Sequence, residues 1–137
     1  MSELMAFDHS PYMRFLGLKL ERSEKGLVEI RLPFRDEFSR SDGSDWLHGG
    51  VVSALIDIAG DYAVMTEVGA GVPTIDMRVD YLRPARRGDL VAVARTLRVG
   101  RTVSVADVEV RDGQGVVVAV GRVVYASPRP SPKEASS

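Results

Sequence analysis

The sequence predicts an α+β domain in which one antiparallel sheet of about six strands wraps a long central helix, with a short helix at the N-terminus. Three observations predict it. Residues 48–65 (HGGVVSALIDIAGDYAVM) form a helical run that is apolar on nearly every side, as in a helix that lies inside a protein. Beyond Pro73 the periodicity changes to that of strands, four in succession. Ahead of the helix, residues 18–24 and 27–34 alternate apolar and polar about Lys25-Gly26, which reads as a hairpin.

Taken in order, Ser10-Pro11 is an N-cap followed by a first-turn proline, so a short helix runs to about Leu16, its apolar side (Tyr12, Phe15, Leu16) covering one end of the core. In the hairpin, Leu18, Leu20, Val28, Ile30 and Leu32 face inward. Residues 35–47 (RDEFSRSDGSDWL) are polar and aperiodic, with a turn at Asp42-Gly43. Phe38 and Trp46 make this an ordered loop, because both are costly to leave in water. It reads equally as a pocket wall or as a plain connection with two aromatic anchors.

After the helix, residues 68–73 (VGAGVP) turn the chain. Ile75, Met77, Val79 and Tyr81 alternate strictly with Thr74, Asp76, Arg78 and Asp80, a half-buried strand. The turn 84–89 leads to a strand over 90–99. In the next strand, 102–111, the apolar parity changes from Val103 and Val105 to Val108 and Val110, which predicts a bulge near Ala106 or Asp107. Residues 112–115 (DGQG) form a hairpin turn, and 116–126 a near-continuous apolar strand of the sheet interior. One domain over 1–126 is expected, then a disordered Pro/Ser-rich tail over 127–137. A single sheet covers only part of such a helix, so the remaining face calls for a second subunit.

Composition excludes several classes. A net charge of −1 gives no general attraction to nucleic acid or to anionic membrane, and no segment is long and apolar enough to span a bilayer. There is no cysteine, hence no disulfide, thiolate metal site or cysteine nucleophile, and two histidines, His9 and His48, argue against a histidine metal centre. The acidic N-terminus lacks a signal-peptide apolar run, which predicts a cytoplasmic protein.

Chemistry concentrates on the central helix. Asp57 and Asp61 are i,i+4 neighbours, and Gly50 and Ala54 continue their face toward the N-terminus. Buried carboxylates must be paired, hydrogen-bonded or protonated. His48 is a poor N-cap and Gly49 and Gly50 carry no side chain, so the first N–H donors, at the positive end of the helix dipole, are expected to be open. A carbonyl docked on the Gly49 N–H, with Asp57 a little over two turns along, would pair an electrophile clamp with a base or nucleophile. On the helix alone, two structurally bonded acids explain the pattern equally well. If Asp57 and Asp61 are close, one carboxyl is raised and the pair titrates as a unit.

This order of elements resembles the hotdog-fold acyl-CoA thioesterases of the PaaI-like (phenylacetic-acid-degradation-type) group over roughly residues 16–125. The motifs that carry the resemblance are HGGVVSALID (48–57), TIDMRVDYLRPARRGD (74–89) and VAVGR (118–122). The resemblance implies that Asp57 is the general base or nucleophile of thioester hydrolysis, that the Gly49 N–H polarises the carbonyl, and that His48 helps hold the helix start. It implies that Thr74 positions water or substrate from the subunit opposite Asp57. It also implies an acyl-CoA substrate, no cofactor or metal, and a homodimer joined sheet edge to sheet edge, often doubled to a tetramer, with composite active sites.

The chain departs from the family at Asp42, where an asparagine or glutamine is usual, at Asp45 in place of a glycine, and at Asp61, where some relatives carry a hydroxyl. An ionised Asp42 cannot donate a hydrogen bond. Gly50, Asp42, Asp61 and Trp46 are substrate-side candidates. Arg83, Arg86, Arg87, Arg98 and Arg101 cluster in two turns, and Arg83, Arg86, Gly100, Arg101 and Thr102 are candidates for the coenzyme A phosphates. The alternative function is a non-catalytic acyl-CoA sensor. A hydratase fits less well, because its histidine would follow the catalytic acid, whereas His48 precedes Asp57.

Overall fold

The computed structural model describes residues 10–127. His9 and, apart from Ser127, the expected tail lie outside the described residues. The elements are α1 (Pro11–Leu16), β1 (Lys19–Glu24), β2 (Leu27–Leu32), a 3-10 turn (Asp36–Phe38), α2 (Gly49–Val68), β3 (Thr74–Tyr81), β4 (Leu90–Val99), β5 (Val103–Arg111) and β6 (Val117–Ala126). The six strands form one antiparallel sheet in the order β1-β2-β4-β5-β6-β3. The sheet wraps α2, which lies chiefly across β4 and β5. This is the hotdog fold.

The wrapping is close because small residues stand where the layers meet. A Cβ at Gly60 would overlap the phenol oxygen of Tyr125, and one at Gly121 would come within 2.7 Å of Ile56. Val28, Ile30, Leu32, Leu55, Ile56, Leu90, Val110, Val123 and Tyr125 are almost fully enclosed between helix and sheet. At about 25 cal/mol per Å² of apolar area removed from water, this core is the main stabilising term.

The helix is not covered all round. Val52, Leu55, Ile56, Ala59, Ala63 and Val64 are buried, whereas Gly50 is exposed and Ala54, Asp57 and Asp61 are half-buried, on a face that no sheet layer covers among the described residues. Among the described residues β3 is an edge strand, paired only with β6, and Ile75, Tyr81 and the adjoining Leu82 are each more than half exposed.

Four local expectations are corrected. Ser10 caps α1 through the Met13 N–H as expected, but the helix buries Met13 and Leu16 while Tyr12 and Phe15 face out. In β3 the register shifts between Thr74 and Asp76, so Ile75 bulges outward and Thr74 turns toward α2. β5 keeps one inward parity throughout (Ser104, Ala106, Val108, Val110), and the bulge lies across the ladder at Leu97 of β4. Ser104 faces inward because its hydroxyl is paired with that of Ser127 at 2.6 Å. That pairing, with the Ser127 N–H donated to Thr102 O, makes Ser127 part of the fold rather than of a tail.

Candidate active site

The loop 35–47 is ordered, as Phe38 and Trp46 required, and it delivers the chain to α2. Its backbone is tied by Arg40 N–H to Trp46 O (2.9 Å), Leu47 N–H to Ala85 O (2.8 Å) and His48 N–H to Phe38 O (2.7 Å). Phe38 is buried and Trp46 partly exposed, with the Arg40 guanidinium 5.3 Å above its ring.

At the helix start the expectation that His48 is a poor N-cap is overturned. Its Nδ1 accepts the Gly50 N–H at 2.9 Å, so His48 is the N-cap, and a neutral ring then carries its proton on Nε2. An imidazole nitrogen in the neutral state is an acceptor like the usual capping oxygens. The Gly49 N–H is left with no acceptor among the described residues. Tyr81 closes over this turn: its hydroxyl donates to Gly49 O at 2.7 Å and is bonded to the Ser53 hydroxyl. Tyr81 and Ser53 were not singled out from sequence, although the inward parity of Tyr81 on β3 was visible.

Gly49 and His48 open onto a cavity of about 650 Å³ walled by Trp46, Val52, Tyr81, Leu82, Pro84 and Ala119, with Arg40 and Arg83 among its lining residues. Neither arginine forms an ion pair among the described residues. Arg86 is engaged with Asp45 (3.7 Å) and Arg87 with Asp36 (2.5 Å). Gly50 faces a second, smaller hollow of about 210 Å³ with Tyr12, Phe15 and Phe38. Asp42 is exposed in its turn and lines neither space.

The acids lie farther along. Asp57 Oδ1 accepts the Thr74 hydroxyl at 2.7 Å, and the buried Tyr125 donates to the Asp57 carbonyl at 2.6 Å. Thr74 therefore meets Asp57 within one chain. Asp61 Oδ1 accepts the Val72 N–H at 3.2 Å. Burial pushes the Asp61 carboxyl up to about 6, opposed by the Val72 N–H and reinforced by the nearby Asp57 charge. Burial, followed by the charges of Asp57 and Asp61, raises the Tyr125 phenol as well, so it stays protonated and acts as a donor.

The distances within one chain do not bring the two halves together. Gly49 and Asp57 are eight helical residues, about 12 Å, apart, whereas a carbonyl oxygen held by one and a carbon attacked from the other require a reach of about 3–3.5 Å. Gly100, Arg101 and Thr102 sit in the β4–β5 turn, at the Thr74 end of the sheet. Arg83 lies beyond the other end of β3, which spans eight residues or about 27 Å. Among the described residues no cluster of three or more His, Asp or Glu side chains could hold a metal ion, and no helix is long and apolar enough to cross a membrane.

A six-stranded antiparallel sheet wrapped around one long helix places the molecule among hotdog proteins. The comparisons with known proteins agree. The Thioesterase superfamily model matches residues 46–119. A candidate esterase of Halobacterium salinarum is 41% identical over 126 residues, covering 84% of this chain and 82% of its own. The medium/long-chain acyl-CoA thioesterase YigI of Salmonella typhimurium is 32% identical, covering 85% of each chain. A solved thioesterase-superfamily structure superposes with a TM-score of 0.84 at 37% identity, covering 88% of this chain and 91% of that one. The chain belongs to the thioesterase superfamily.

Proposed function

We propose that the protein hydrolyses acyl-CoA thioesters to the free acid and coenzyme A, in a site assembled from two copies of the chain. The observation that carries this reading is the Gly49 N–H, without an acceptor among the described residues and opening onto the 650 Å³ cavity. It is a preorganised donor at the positive end of a 20-residue helix, where a developing oxyanion is stabilised. The YigI relative, an acyl-CoA thioesterase by name, supports coenzyme A as the carrier. Arg40 and Arg83, without carboxylate partners among the described residues, suit its phosphates.

The 12 Å separation is bridged by a two-fold. Pairing β3 with its symmetry mate extends the sheet across the open edge and sets the two α2 helices antiparallel, open faces inward. Gly49 of one protomer then comes level with Asp57 of the partner subunit. Asp76, Arg78 and Asp80 alternate in sign along that edge. Antiparallel pairing centred on Met77 or Val79 places each Arg78 opposite an acid. In the reaction, the thioester oxygen docks on the Gly49 N–H, and Asp57, held by Thr74, either takes a proton from water or attacks directly to give an anhydride that water opens. In both routes the C–S bond breaks and the thiolate leaves as coenzyme A.

The test is thiol release from short-chain, long-chain and aromatic acyl-CoAs by wild type and Asp57→Asn, clean here because the protein has no cysteine. Turnover that drops by about 10² or more in Asp57→Asn supports the reading. Tight acyl-CoA binding without release, equal in both proteins, replaces it with an acyl-CoA sensor.

A further inference from the structure

Asp61 has no part in the proposed chemistry, yet it grips the same short segment as Asp57. From one helix face, Asp61 Oδ1 takes the Val72 N–H (3.2 Å) and Asp57 Oδ1 takes the Thr74 hydroxyl (2.7 Å). Between them Pro73 O accepts the Ala126 N–H at 2.9 Å, and the Val72 side chain is buried. The segment arrives from a turn that leaves α2 at Gly69, at φ 80 with its N–H on Met65 O, and passes through Gly71 just ahead of Val72. Immediately downstream the register shift at Ile75 frees the Thr74 side from strict pleat alternation. The start of β3 is thus held from the helix side by these two carboxylates and from the sheet side by β6.

We infer that Asp61 is a positioning residue acting through Thr74: by anchoring the Val72 N–H it fixes the start of β3, aims the Thr74 hydroxyl at Asp57, and so holds the attacking carboxylate in one rotamer. With Oδ1 occupied by Thr74, Oδ2 is the oxygen that meets water or the thioester carbon. This rests on the thioesterase reading for its effect on rate, and on the hydrogen bonds alone for its effect on structure. It also gives Asp61 a reason to be an acceptor-bearing side chain at a half-buried position where an acid is costly.

The experiment measures kcat and KM for Asp61→Ala, Asp61→Asn, Thr74→Ala and the Asp61→Ala/Thr74→Ala double variant, with amide exchange at Val72 alongside. Asp61→Ala is expected to lower kcat about tenfold with KM within about twofold. Asp61→Asn, whose amide oxygen still accepts the N–H, is expected to stay within about threefold of wild type. The double variant should be no slower than Thr74→Ala, the signature of two residues acting as a unit. Val72 exchange should accelerate in Asp61→Ala and not in Asp61→Asn. Should Asp61→Ala fail to fold, Asp61→Glu, which displaces the acceptor by one methylene, is expected to lower kcat in the same pattern. Losses that simply add in the double variant, or an equal loss in Asp61→Asn, overturn the inference. Absence of turnover in wild type overturns the thioesterase reading instead, and Val72 exchange unchanged in Asp61→Ala overturns the anchoring by itself.

Discussion

Gly49→Pro removes the N–H on which the proposed chemistry depends while leaving the helix start in place. Gly49 is the first residue of α2, the position that tolerates proline best because its N–H has no intrahelical acceptor. A residue before proline must be extended, and His48, at φ −67 and ψ 134, already is. A side chain at 49 meets the Tyr81 ring at 3.5 Å, an ordinary contact distance. The stability change should therefore stay within about 0.5 kcal/mol, as for substitutions that break no specific feature. Loss of one oxyanion donor costs about 10²–10³ in kcat, or about 2.7–4 kcal/mol of transition-state stabilisation. The assay is thiol release under saturating acyl-CoA, beside a thermal melt; Gly49→Ala, which keeps the N–H, is the control. A folded Gly49→Pro protein that turns over within about threefold of wild type refutes the role given to this donor.

Two further outcomes follow from the same geometry. Asp61 is raised from 3.8 to about 6 in the folded chain, facing Asp57 and Tyr62 on its own helix, Tyr125 from β6 and the Val72 N–H. A raised carboxyl contributes stability that is complete below about pH 4 and lost as pH rises through about 6. Asp61→Asn should therefore gain on wild type as the pH goes from 4 to 8, by on the order of 1 kcal/mol after solvent screening. Thermal melts across that range check it, and a gain that is flat with pH contradicts it. Replacing both Arg40 and Arg83 by Ala should raise KM for acyl-CoA about ten- to a hundredfold at low salt, with kcat within about threefold and little change for an acyl-pantetheine lacking the nucleotide. Equal losses on both substrates would remove the phosphate role.

The helix, the strand order in sequence and the inward residues of β2 were legible because periodicity reports burial directly. What failed had non-periodic causes. Thr74 faces α2 only because Ile75 bulges, and a bulge leaves no mark in strict alternation. Ser104 was hidden by its polarity: it is inward because Ser127, 23 residues on, supplies its partner. His48 was misjudged as a poor cap because capping preferences describe oxygen side chains, while its Nδ1 serves the same geometry. Of the candidate site, His48, Gly49, Trp46 and Arg83 share one cavity and Asp57 with Thr74 forms a second centre. Sequence spacing alone placed Gly49 and Asp57 on one helix, and helix rise then separates them by about 12 Å. Arg40 was missed because its significance lies in the cavity it lines and in having no carboxylate partner among the described residues, which only the fold reveals.

The claim that each site takes its donor from one chain and its carboxylate from another is tested by subunit complementation. Asp57→Asn and Gly49→Pro oligomers, each inactive alone, are mixed in equal amounts under conditions of subunit exchange. In a mixed dimer, one site unites the intact Gly49 of the first chain with the intact Asp57 of the second, and the other site carries both defects. Recovery of about a quarter of wild-type activity is expected, from half the dimers having one working site in two. A mixture that exchanges subunits yet stays at the level of its parents would place both residues' action within a single chain and contradict the account.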